Sequence, residues 1–180
     1  MRLHTIRVPV YHWHMAHKKL VTLKEVSAIA ARARKSGKRV VTTNGCFDIL
    51  HIGHARNLAY ARSLGDMLIV GINSDASVRR LKGRGRPLVP ARERAEMLAA
   101  LEAVDYVFVF AGATPVPWIL RIRPDIHVKG GDRALAPQHA GRARGRLLES
   151  DAVEEAGGRV ALFPHTGHST SALVRKLRRR

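Results

Sequence analysis

At 180 residues the chain is long enough for one domain with a sizeable core, and its apolar content is ordinary for a globular protein. Its lone cysteine, Cys46, excludes an intrachain disulfide framework and a cysteine-built zinc site; no apolar run approaches the roughly 20 residues that span a bilayer, and the N-terminus has no signal-peptide core, so the expectation is a soluble cytoplasmic protein without a membrane partner. A formal charge of +18 suits phosphate-rich ligands and keeps a nucleic-acid-binding module as the competing reading, although few aromatic residues are interleaved with the basic ones to stack bases.

Residues 1–20 read as an unattached lead-in, disordered or extended, ahead of a single domain over 21–180. His4, His12, His14 and His17 are irregularly spaced there, and no metal site is expected from them or elsewhere. Thr22 and Glu25 form a capping box that opens a helix to about Lys35, with Gly37 as its stop. Lys38-Arg39-Val40-Val41 begins a short β-branched run, the first strand. Ala55, Leu58, Ala59, Ala61 and Leu64 carry helical spacing up to Gly65, and Met67 to Ile72 is a second strand. A short helix holding Val78 and Leu81 follows Asn73-Ser74-Asp75, and Lys82-Gly83-Arg84-Gly85-Arg86-Pro87 is a basic, glycine-rich loop. Pro90 enters a helix over Ala91 to Leu101, Val104 to Phe110 is a third strand, and a helix starts at Thr114 with Pro115 in its first turn. Ile126 to Val128 is the fourth strand and ends in Lys129-Gly130-Gly131-Asp132. Residues 133–149, rich in Arg, Ala and Gly, read as a mobile loop. A short helix over Asp151 to Ala156, a fifth strand over Val160 to Phe163, and a last helix capped by Ser169-Thr170-Ser171 complete the chain.

Strands alternating with helices predict an α/β fold with a parallel five-stranded sheet flanked by helices. Ligands of such sheets sit at the carboxyl ends of the strands. The segments after strands one, two, four and five hold the chemically suggestive residues, so they would share that edge. The most specific is Thr43-Asn44-Gly45-Cys46-Phe47-Asp48-Ile49-Leu50-His51-Ile52-Gly53-His54, a strand-to-helix loop. Its two histidines, three apart, fall on one face of a first helical turn. That turn offers unpaired N–H groups and the positive end of the helix dipole, and Gly53 leaves room for a ligand, which together describe a phosphate site. The plainer reading is a pair of structural or solvated histidines.

This stretch resembles the signature of the HxGH nucleotidyltransferases, the cytidylyltransferase-like superfamily, whose fold is Rossmann-like. Over about residues 22–180, G-I-N-S-D-A-S-V-R-R-L-K-G, G-R-P-L, E-R-A-E-M-L, V-D-Y-V, R-P-D-I, V-K-G-G-D, G-G-R-V and a late S-T-S narrow the likeness to the adenylyltransferases of ADP-heptose synthesis. These are similar in plan to glycerol-3-phosphate cytidylyltransferase. The resemblance implies that ATP and heptose 1-phosphate give ADP-heptose and pyrophosphate, with Mg²⁺ neutralising the triphosphate. It implies His51, His54 and Lys82 as catalytic residues, and nucleotide contacts from Asn44, Gly45, Phe47, Gly53, Lys129, Gly131, Asp132, Ser169 and Thr170. Arg94 can hold a phosphate bidentately or be a helix-face charge. Asp48 and Asp75 bond sugar hydroxyls or simply cap turns. Lys82 reaches the phosphates or is a solvated loop lysine, and Ser169 and Thr170 contact phosphates or are ordinary caps. A homodimer is expected by analogy only. Two competing activities remain, a cytidylyltransferase acting on a small alcohol phosphate and the nucleic-acid module. The 133–149 segment departs from the family pattern, and an aminoacyl-tRNA synthetase is set aside because the chain is short and has no K-M-S-K-S.

Overall fold

A computed structural model describes residues 17–130, 149–164, 170 and 174. Five parallel strands form one sheet: β1 (Val40–Gly45), β2 (Met67–Asn73), β3 (Tyr106–Phe110), β4 (Ile126–Gly130) and β5 (Arg159–Phe163), in the spatial order β3-β2-β1-β4-β5. Around it lie α1 (Leu23–Lys35), α2 (Ile52–Ser63), α3 (Asp75–Lys82), α4 (Ala91–Ala99), α5 (Val116–Ile122) and α6 (Ser150–Glu155).

Alternation along the strands sends side chains to two cores. Val41, Leu68, Val70, Ile72 and Val128 pack with Leu58 and Ala61 of α2 and Ala95 and Leu98 of α4. Val40, Ile69, Phe108 and Phe110 pack on the other face with Val26, Ala30 and Ala33 of α1, Trp118, Ile119 and Ile122 of α5, and Val153 of α6. Gly71 is needed here, because a Cβ would lie 3.0 Å from the Phe108 ring and 3.3 Å from Trp118. Both faces are covered, which suits strands that read as continuous apolar runs.

An aspartate precedes each of β2, β3 and β4 and ties it to the neighbouring inner strand. The Asp66 carboxylate accepts from the Arg39 amide, that of Asp105 from Leu68, and that of Asp125 from Val40, each at 2.7 Å. Each aspartate amide donates back to the same residue's carbonyl, at 2.9, 3.0 and 2.9 Å respectively. These closed pairs satisfy backbone groups at the amino end of the sheet, where the ladder has not yet begun.

The predicted capping box is present: Thr22 Oγ1 accepts from the Glu25 amide at 3.2 Å, and the Glu25 carboxylate accepts from the Thr22 amide at 2.7 Å. The lead-in differs from expectation over its last residues. Leu20 forms a parallel bridge to Val107, the Val107 amide donates to the Lys19 carbonyl at 2.8 Å, and Lys19 Nζ donates to the Leu101 carbonyl at 3.1 Å. Residues 17–21 therefore cover part of the β3 edge, which would otherwise expose unpaired backbone groups. Residues 1–16 and nearly all of the predicted 133–149 loop lie outside the described residues, as does the last helix except Thr170 and Val174, both helical. Among the described residues no helix is long and apolar enough to cross a membrane.

Candidate active site

The sheet order reverses between β1 and β4, so the chain leaves these two strands in opposite directions and a crevice opens at their carboxyl ends. The seam beneath it is polar. Thr42 Oγ1 meets His127 Nδ1 at 2.8 Å, and Thr43 Oγ1 donates to the Val128 carbonyl at 2.9 Å. Backbone pairing of β1 with β4 ends at Thr43 and Val128. One residue further on, Lys129 Nζ donates to Asn44 Oδ1 at 2.9 Å, a side-chain bond where the backbones have parted. Lys129 also forms an ion pair with Glu149. His127 is fully buried, and burial first, then the Lys129 charge, hold its pKa well below 6.5.

Beyond Gly45 the chain turns through Phe47, whose φ of +48° is in the left-handed region. The Phe47 ring folds back over the strand end, so a Cβ at position 45 would lie 3.0 Å from it, and glycine fits there for that reason. The ring is buried and sits 5.0 Å from that of His54. Phe47 thus packs its ring against that of His54 at the end of β1.

His51 is the N-cap of α2, and its Nδ1 accepts from the Gly53 amide at 3.1 Å. In a neutral His51 ring that bond leaves the proton on Nε2. The amides of His54 and Ala55 donate to the His51 carbonyl at 2.9 and 3.2 Å. The first-turn N–H groups of Gly53, His54 and Ala55 are thus already engaged, contrary to the expectation of open donors. The positive helix end remains, and the two imidazoles present themselves together, stacked with centroids 3.8 Å apart and planes 22° apart.

Arg94, in contrast, is withdrawn from solvent at 1% exposure. Its guanidinium donates to the carbonyls of Val89 (2.9 Å), Cys46 (2.5 Å) and Asn73 (2.9 Å) and to the Asp75 carboxylate (2.7 Å). The expectation that it holds a substrate phosphate is corrected: its fork clamps the β1–α2 loop, the end of β2 and the entry to α4 together. Asp75 is occupied in the same clamp and accepts from the Ala91 amide at 2.8 Å. Asp48 is likewise structural. It accepts from the amides of Leu88 and Val89 at 2.6 and 3.1 Å and meets Arg86 Nε at 2.6 Å as an ion pair. Of the two readings of these aspartates, bonding to sugar hydroxyls or capping turns, the observed partners match the second.

Lys82 is the last residue of α3 rather than part of the loop, followed by Gly83 with φ +87° and Gly85 with φ +82°. Its side chain is exposed at the end of that helix. Thr170 Oγ1 donates to the Ile49 carbonyl at 3.2 Å, which ties the last helix to the β1–α2 loop. Gly131, Asp132 and Ser169 lie outside the described residues. The structure therefore gathers Asn44, Gly45, Phe47, His51, Gly53, His54, Lys129 and Thr170 around the β1–α2 loop and the crevice. Arg86 and Glu149 were missed by sequence reasoning. Arg86 stood in a basic loop, and Glu149 closed an arginine-rich stretch without periodicity.

Among the described residues no group of three or more His, Cys, Asp or Glu is placed to hold a metal ion. Asp48 and Asp75 are turned to backbone amides and arginines.

Residues 42–175 match the cytidylyltransferase-like family. The chain is 45% identical over 180 residues to the bifunctional protein HldE of Syntrophotalea carbinolica, covering 96% of this chain and 35% of that one. It is 46% identical over 160 residues to HldE of Geobacter sulfurreducens (88% and 31% covered) and 47% identical over 159 residues to HldE of Methylococcus capsulatus (88% and 32%). The chain thus spans about a third of the length of these curated relatives. Among solved structures it resembles the lipopolysaccharide core biosynthesis protein from Thermoplasma volcanium, with a TM-score of 0.57 and 24% identity, covering 74% of this chain and all of that one. It also resembles pantoate-beta-alanine ligase from Francisella tularensis, with a TM-score of 0.50 and 13% identity, covering 84% and 68%. At these identities the two structures speak for the fold.

Proposed function

Since this chain belongs to the cytidylyltransferase-like family, we propose that it is an adenylyltransferase that joins ATP and a heptose 1-phosphate into ADP-heptose and pyrophosphate. The observation that carries the reading is the stacked His51–His54 pair at the start of α2, beside the crevice between β1 and β4. Similarity over most of the chain to proteins named HldE supports the choice of substrates.

A phosphate oxygen of the sugar phosphate attacks the α-phosphorus of ATP. The α–β bridging P–O bond breaks, and its electron pair leaves with pyrophosphate. The nucleophile is already ionised, so no strong base is needed. The obstacle is bringing two anions together and dispersing the charge that develops on the five-coordinate phosphorus. Positioning and preorganised positive charge address both. His51 and His54 meet the β- and γ-phosphates. Lys82, on the exposed end of α3, reaches the reacting phosphates, and Lys129 borders the nucleotide in the crevice with Thr170 nearby. A magnesium ion would enter this site with ATP and would supply charge neutralisation on the triphosphate.

Pyrophosphate release with ATP and CTP, each against heptose 1-phosphate and glycerol 3-phosphate, tests the reading. Turnover confined to ATP with heptose 1-phosphate is expected. Turnover with CTP and glycerol 3-phosphate instead would establish the cytidylyltransferase. Tight, steeply salt-dependent nucleic-acid binding without pyrophosphate release would replace both. A homodimer remains part of the proposal by analogy, and sedimentation equilibrium measures it.

A further inference from the structure

Glu149 directly precedes α6 and stands at its N-cap, yet its side chain makes no capping bond to that helix. Its carboxylate instead pairs with Lys129 of β4, and the two side chains are 3% and 12% exposed. Taking a carboxylate and an ammonium out of water is costly, and their attraction repays the cost only with good geometry. A negative charge beside a cation also weakens the field on an incoming anion. The arrangement therefore makes little sense as a source of positive potential, but it does fix a direction. Asn44 holds the same ammonium from β1 at 2.9 Å, one residue past the last backbone pair of β1 with β4. Three elements thus converge on one nitrogen where the central strands part.

We propose that Glu149 is a positioning residue for Lys129: with Asn44 it aims the Lys129 ammonium into the crevice between β1 and β4, where the nucleoside triphosphate binds. This rests on the functional reading above, in which the crevice receives ATP. A long lysine has many rotamers, and ordering it before the ligand arrives removes that entropy from the cost of binding.

The test is steady-state kinetics on folded Glu149→Gln, Lys129→Met and the double variant, with ATP varied at saturating sugar phosphate. Glu149→Gln should raise the KM for ATP about tenfold, the scale of one charge-assisted contact, with kcat changed by less than about threefold and the KM for sugar phosphate unmoved. In the Lys129→Met background the same substitution should add nothing, because residues acting as one unit are not additive. Additive effects in the double variant, or a KM for ATP within about twofold of wild type in Glu149→Gln, would overturn the proposal. Glu149→Asp keeps the charge but withdraws it by one methylene; it should preserve the fold and still raise the KM for ATP, and a wild-type value would count against the proposal as well. An inactive wild-type protein would refute the functional reading separately. The positioning is then read without substrate, from the Lys129 Nζ signal in ¹⁵N-lysine NMR. A slowly exchanging ammonium that is lost in Glu149→Gln supports it, and one that persists unchanged refutes it.

Discussion

His51 and His54 divide their work. His51 caps α2 through Nδ1, so its ring is held in place by the backbone it caps. His54 packs its ring against those of both His51 and Phe47. His54→Ala should therefore keep the fold and lose charge stabilisation in the transition state. The expected fall in kcat is about 100- to 1,000-fold, the cost of one preorganised donor, and near-normal turnover in a folded variant would remove His54 from the site. Lys82 and Arg84 make a charge-matched comparison, since each loses one unit on replacement. Lys82→Ala should lower kcat and kcat/KM together by about 100-fold, as for a contact made only in the transition state. Arg84→Ala should act mainly on KM, and less at high salt, because a distant charge steers anions and is screened. Equal effects from the two would reduce Lys82 to a source of general field. The histidine pair was legible because strand, loop and helix signals agree around H-I-G-H. Arg94 was not. An arginine in E-R-A-E reads the same whether it is solvated, grips a phosphate or is spent on the carbonyls of Cys46, Asn73 and Val89. Only the fold brings those carbonyls to it.

Among elements, the parallel strands were the easiest to read, since a strand buried on both faces is a continuous apolar run. Their tethers were legible only in hindsight. G-D-M, V-D-Y and P-D-I each place an aspartate directly before a strand, yet its partner lies 27 to 85 residues away. The Asp125–Val40 pair joins the two strands that flank the crevice, and Val40 is fully buried. Asp125→Ala would leave the Val40 amide without its acceptor at a cost of about 1–3 kcal/mol, the penalty for an unsatisfied buried donor. Asp125→Asn keeps an oxygen in place and should cost less. Urea unfolding of both variants measures the difference, and equal losses would show that the charge rather than the acceptor matters. Helix ends were less legible than helix cores. The helix expected from Thr114 starts at Val116, with Pro115 as its N-cap and Arg123 closing it at φ +55°. Docking of residues 17–21 on β3 depends on an open strand edge, which no local pattern reveals.

At the scale of the whole sheet, a line of polar contacts runs along the central seam. Asp125 begins it, Thr42 with His127 and Thr43 with Val128 continue it through the interior, and Asn44 with Lys129 ends it at the crevice. The apolar cores on either side hold the seam rigid, and the site stands where it opens. Such an interior links stability to pH through His127. Burial, then the nearby Lys129 charge, disfavours its protonated form, so its folded pKa lies well below the 6.5 of the unfolded chain. Between those two values the unfolded state binds a proton that the folded state refuses, and stability must fall as pH falls. One such group contributes a slope of up to about 1.4 kcal/mol per pH unit in that window and nothing above it. His127→Gln removes the titration and retains a polar partner for Thr42. It should be less stable than wild type at pH 8 through poorer packing against Trp118, whose ring lies 5.8 Å from that of His127. As pH is lowered from 7 towards 5, wild type alone pays the linkage, so the gap between the two proteins should narrow. The other histidines titrate in both proteins and cancel in the difference. Urea unfolding of the pair at half-unit pH steps gives that difference directly, and a gap that stays constant from pH 8 to 5 would mean that His127 takes its proton inside the folded sheet.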